Sequence, residues 1–164
     1  PENAIFVNEA LVDGMGVEIS SRIDPITNLS LTGNFTYQSN EIASNADSAP
    51  GGPIGAQVPN IPQLFYNVGF NYTFDNIFKS QNDLQFFWTY LFTDRFSINE
   101  VADLDTANPD FIIPEQNVHN TDNLKQKGLV FSFNLQNVFD AEIFDNFRIP
   151  RPGVNYAFKI NYSL

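Results

Sequence analysis

The side chains able to do chemistry are few, and they bound the function early. The chain has one histidine, His119, and no cysteine. Disulfides and thiolate chemistry are therefore excluded. A serine-histidine-aspartate arrangement needs an imidazole as its general base. It would have to use His119, which stands in the poorly patterned stretch 112–128. No enzyme is expected. The acids Glu100, Asp103, Asp105 and Asp110 offer hard oxygen ligands of the kind calcium takes. They lack the D-x-D-x-D-G spacing of a calcium loop, so a solvated loop is the better reading and no metal or cofactor is expected. Arg148 and Arg151 stand beside Phe144 and Phe147. A guanidinium can grip a carboxylate or phosphate with two prongs. With Asp94 and Arg95 these arginines are candidate ligand or lipopolysaccharide contacts; the competing reading is ordinary charges at a membrane girdle.

The elements that must carry these residues are strands. Over 154–164, Val154, Tyr156, Phe158, Ile160, Tyr162 and Leu164 alternate with small or polar residues. A period of two makes one face of a strand apolar and the other wet. The same alternation occupies 15–23, 28–38, 64–74 and 129–136, and a noisier version 84–96. Each clear run approaches the roughly 9–11 residues that a tilted strand needs to cross a bilayer. No run of 18 apolar residues exists, so no transmembrane helix is expected.

Soluble antiparallel sheets alternate too. Their solvent faces are usually rich in Lys and Glu, whereas the polar positions here are mostly Ser, Thr, Asn, Gln and Gly. Charged residues make up 16% of the chain, against about 25% in ordinary soluble domains. Seventeen phenylalanines would be an aggregation hazard in water but not in lipid. The net charge of −11 argues against nucleic acid, which needs clustered Lys and Arg.

The connections alternate in length. Asp24-Pro25-Ile26-Thr27 reads as a tight turn, 75–83 is short, and 39–62, 97–113 and 140–152 are long. Outer-membrane barrels have this asymmetry, with short periplasmic turns and long external loops. The stretch 112–128 fits worst: Ile112, Ile113, Val118 and Leu124 do not alternate and Pro114 interrupts them. Either the strand there is short or residues are missing. About seven strands result, with 3–12 able to supply an eighth.

Several short motifs then point the same way. Asn134-Leu135-Gln136-Asn137-Val138-Phe139-Asp140 resembles the N-L-F-D box of TonB-dependent outer-membrane receptors. Phe144-Asp145-Asn146-Phe147 followed by Pro152-Gly153 resembles the loop leading into their last strand. Gly16-Val17-Glu18 with Asn8 upstream, and Pro59-Asn60-Ile61-Pro62, resemble two further segments of that family, in family order. The style is similar to Bacteroidetes members. Two positions depart from the family: Val154 replaces an Arg, and the final Phe is Leu164.

The resemblance implies that residues 1–164 are the C-terminal segment of a barrel of about 22 strands around a plugged lumen. The plug and the TonB-contacting segment would precede this chain. The implied protein imports a scarce nutrient, a siderophore or other iron chelate, across the Gram-negative outer membrane. Its partners would be outer-membrane lipid and lipopolysaccharide, the TonB complex and the nutrient ligand. Val154, Tyr156, Phe158, Ile160, Tyr162 and Leu164 are then expected to face lipid. The alternatives are a complete eight-stranded barrel with a structural or adhesive role and a soluble carbohydrate-binding β-sandwich.

Overall fold

The computed structural model describes residues 11–44, 53–77, 82–99, 103–126, 129–145 and 148–162. Seven strands form one antiparallel sheet: β1 (Val12–Ile26), β2 (Leu29–Ile42), β3 (Leu64–Phe74), β4 (Asn82–Thr93), β7 (Gln116–Gln126), β8 (Leu129–Gln136) and β9 (Asn155–Tyr162). Two short strands, β5 (Phe96–Ser97) and β6 (Ile112–Ile113), pair with each other apart from it. The chain is all-β, with a 3-10 turn at Pro109–Phe111. The seven strands follow chain order across the sheet, each paired with its predecessor and successor. Among the described residues β1 and β9 each pair on one side only, so the described sheet is not a closed barrel, and residues 3–10 of the stretch expected to supply an eighth strand lie outside the described residues.

The register puts the alternating apolar residues together. Ile19 lies opposite Phe35, which lies opposite Tyr66, which lies opposite Phe92. Along a neighbouring row Ile23, Leu31, Phe70, Trp88, Thr121, Leu135 and Tyr156 follow one another across all seven strands. Directly opposed residues share a face, so one face collects most of the large apolar side chains. Ser20, Asn34, Asn67, Thr89 and Asn134 lie on the other, where the Asn34 amide donates to Asn67 Oδ1 at 3.0 Å.

Neither face of the sheet is covered by a second layer of described residues. Met15 is 75% exposed and Tyr156 74%. The buried apolar side chains are Ile42, Ala56, Phe96 and Ile113, all at the end of the sheet where the long connections run. There the connections are tied together: Asn60 N–H donates to Ser97 O at 2.7 Å, and Ile42 N–H to Ala56 O at 2.9 Å.

Three features differ from the sequence reading. The first turn lies at Thr27–Asn28, and Pro25 sits inside β1, where the pairing with β2 shifts between Ile23 and Ile26. A proline lacks the ladder N–H, and an edge strand with an irregular register tolerates that loss. β2 continues to Ile42, beyond the expected start of its loop. The stretch expected to hold a short or truncated strand holds β7, an 11-residue strand paired with β4 along most of its length. Pro114 lies just outside it. β7 does not alternate because its apolar-face positions are Asn117, His119 and Thr121.

Candidate functional site

The short connections gather at one end of the sheet and the three long ones, 43–63, 94–115 and 137–154, at the other. The candidate ligand contacts Asp94, Arg95, Arg148 and Arg151 all belong to the long-connection end.

Asp94 and Arg95 follow directly on β4. Asp94 N–H donates to Leu64 O at 2.9 Å, and the Asp94 carboxylate accepts from Arg95 N–H at 2.8 Å. Asp94 therefore fixes the chain where it leaves the sheet. The Arg95 guanidinium pairs with Asp105. That hydrogen bond, and then the charge of the same carboxylate, push the guanidinium above its ordinary value.

Arg148 lies in the last connection, between the bridged residues Phe144 and Pro150. Its N–H donates to Asp145 O at 3.0 Å, Ile149 N–H donates to Asp145 Oδ1 at 2.8 Å, and Phe144 pairs with Pro150 as a bridge. The Arg148 backbone has φ +59°, while the other four non-glycine residues with positive φ among the described residues are Asn or Asp. Asn and Asp tolerate that region; a long side chain such as Arg is held there by its surroundings. Its guanidinium lies 3.6 Å from Asp110. Arg151 N–H donates to Ile143 O at 2.8 Å, and its side chain makes no ion pair among the described residues.

The structure thus ties Arg95 and Arg148 to one acidic segment. That segment is pre-shaped: Asp103 Oδ1 accepts from Asp105 N–H at 2.9 Å, and Asn108 Oδ1 accepts from Asp110 N–H at 3.0 Å.

Sequence reasoning missed a clasp at the foot of the last connection. Asn137 is 3% exposed and holds Ala141 twice, donating to its carbonyl and accepting from its N–H, each at 2.8 Å. Asn137 N–H in turn donates to Asn120 Oδ1 at 3.0 Å, tying the clasp to β7. Asp140 Oδ1 accepts from Val154 N–H at 3.1 Å, immediately before β9. The available signal was the pair of Asx residues followed by Gly153, since such side chains bond nearby backbone. Gln116 was also missed: it is buried, and its Oε1 accepts from Phe144 N–H at 3.3 Å.

On the apolar face, Tyr156, Phe158 and Ile160 lie opposite Leu135, Phe133 and Phe131, and Tyr162 is the last residue of β9. Val154 precedes β9, and Leu164 lies outside the described residues. His119 packs against Trp88, Tyr90 and Phe139, with ring centroids 5.5, 4.7 and 4.7 Å away.

No family model matches the chain, and neither a curated protein nor a solved structure matches it.

Proposed function

We propose that this chain is part of the wall of a transmembrane β-barrel in the Gram-negative outer membrane, from a TonB-dependent receptor that imports a scarce nutrient such as an iron chelate. The observation that carries the membrane part is the composition of the apolar face. From Met15 to Ile23 on β1, Leu29 to Ser39 on β2, Leu64 to Phe74 on β3, Leu84 to Phe92 on β4, Phe131 to Leu135 on β8 and Tyr156 to Tyr162 on β9, no position on that face is Asp, Glu, Lys or Arg. All six tyrosines of the chain, Tyr37, Tyr66, Tyr72, Tyr90, Tyr156 and Tyr162, fall on it. On β3 and β9 they flank a centre of Val, Phe and Ile. A phenol is apolar in its ring and wet at its hydroxyl, which suits a membrane interface. The opposite face, with Ser, Thr, Asn and Gln, suits an aqueous lumen.

The receptor part rests on the motif resemblance and on the in-order sheet with short connections at one end and long ones at the other. A soluble sandwich would need a second layer over the apolar face, and none of the described residues supplies one.

The absence of cysteine permits a direct test. Single cysteines at Phe133 and Phe158 in the intact membrane-embedded protein should resist a water-soluble maleimide and be quenched by nitroxide-bearing lipid. Cysteines at Ser132 and Ala157, on the opposite face, should show the reverse. Equal labelling of all four from water would overturn the membrane reading. Loss of iron-chelate uptake on deletion of the gene, restored by the gene, tests the transport half.

A further inference from the structure

We propose that Arg95 and Arg148 are an oxyanion-binding pair that the chain's own 103–111 segment occupies, through Asp105 and Asp110, until the oxyanion of an incoming ligand exchanges for those carboxylates. The inference rests on reading the long-connection end as the ligand-facing mouth.

Three observations carry it. First, two guanidinium groups from different connections hold two carboxylates of one segment, Arg95 at the end of β4 and Arg148 in the connection before β9. Second, these pairs are exposed: the Asp105 and Asp110 side chains are 72% and 83% exposed. Exposed ion pairs add little stability and are screened by salt, so they exchange readily. Among the described residues, the segment's backbone is tied to the end of β5 at Phe111, where Ile98 N–H and Ser97 Oγ both donate to Phe111 O. Third, the Arg148 backbone stands in the left-handed region, where its N–H bonds Asp145 O, a conformation that costs free energy in a residue of this type.

Charge supplies the reason for such a device. The chain carries 19 acids against 8 basic residues, so its mouth repels anions unless cations are presented locally. Arg95, Arg148 and Arg151 are the basic residues of the long connections, and all are arginine. The guanidinium fork matches carboxylate and phosphate alike. Asp105 and Asp110 are thus internal stand-ins for the ligand.

The test reads the segment directly. A nitroxide on Thr106→Cys in the otherwise cysteine-free chain, within the full-length protein in detergent, should be immobilised at low salt. Citrate should release it at concentrations where sodium chloride of matched ionic strength does not. In the Arg95→Gln/Arg148→Gln variant the label should be mobile from the start and unresponsive to citrate. The Arg95→Lys/Arg148→Lys variant keeps both charges and should restore immobilisation with a weaker citrate response. Release by citrate identifies a free ligand as the source of the oxyanion; release by added lipopolysaccharide alone identifies its headgroup phosphates. Release by neither, or equal release by matched chloride, overturns the proposal. Citrate release in a protein whose Phe158 position proves water-accessible would leave the exchange standing and remove the receptor.

Discussion

At the scale of single residues, the last connection is set by side chains that bond backbone. Gly153 shows how tightly. A Cβ added there would lie 2.1 Å from Asp140 Oδ1, the atom that accepts from Val154 N–H. Gly153→Ala must push Asp140 away and free that N–H at the start of β9. Overpacking of this kind costs about 1–3 kcal/mol, so we expect a lower urea midpoint and faster proteolysis within 137–154. Gly55→Ala is the contrast, since nothing lies within 4 Å of its would-be Cβ and only its φ of +85° opposes the change. Equal proteolysis of Gly153→Ala and the parent would refute the clasp. His119 gives a prediction of opposite sign. Among the described residues its Nδ1 is buried without a hydrogen-bond partner, between Trp88, Tyr90 and Phe139. An unsatisfied buried polar atom costs about 1–3 kcal/mol. His119→Phe should therefore leave stability unchanged or raise it, as measured by the same urea midpoint, and a fall of several kcal/mol would point to a role beyond packing.

At the scale of elements, what was legible in the sequence follows from where each strand's neighbours lie. β3 and β8 are read to the residue, 64–74 and 129–136, because their apolar positions alternate without interruption. β7 is illegible because its environment is set by other strands. Asn117 accepts from the Tyr90 hydroxyl at 2.5 Å, and Thr121 Oγ1 donates to Phe87 O at 2.9 Å, so these two polar residues find partners on a face that is otherwise apolar. The bounds of β1 were missed because Pro25 suggests a turn, yet an edge strand can carry it. The buried cluster was also beyond the sequence. Ile42, Ala56, Phe96 and Ile113 are scattered along the chain and share no period, and their segments meet through the bond from Ile42 to Ala56, the bond from Asn60 to Ser97 and the pairing of β5 with β6. The candidate arginines were legible as residue types; their carboxylate partners were not, since Asp110 and Arg148 are joined only by tertiary structure. Because Ile113 is buried where the long connections are tied together, Ile113→Ala should act locally. Removing a fully buried isoleucine side chain costs about 2–5 kcal/mol. The expected result is enhanced proteolysis within 94–115 while strand content by circular dichroism stays constant; loss of both together would mean that the loops and sheet unfold as one unit.

At the scale of the whole molecule, two surfaces decide the behaviour, the apolar face and the two edges. Phe158 lies opposite Phe133 on the apolar face, and Asn161 lies opposite Val130 on the other. If the apolar face meets lipid, Phe158→Arg should cost about 2–4 kcal/mol near the midplane, and Asn161→Arg much less. Equal costs on folding into bilayers would contradict the orientation. The edges make a separate demand. Among the described residues β1 and β9 each pair on one side only, and all the side chains of both strands are exposed. Every second backbone group along such an edge lacks a ladder partner, and in hydrocarbon each unsatisfied group costs several kcal/mol. Lys159 is the one basic residue on β9 to blunt its edge, and β1 has Arg22 and Pro25 near its short-turn end. We therefore predict that residues 1–164 refolded alone in detergent associate through these edges instead of forming a monodisperse, heat-modifiable monomer, and that association falls when upstream strands of the same polypeptide are included. A heat-modifiable monomer of the 164-residue chain alone would show that its edges can meet each other, and would replace the larger barrel with a complete small one.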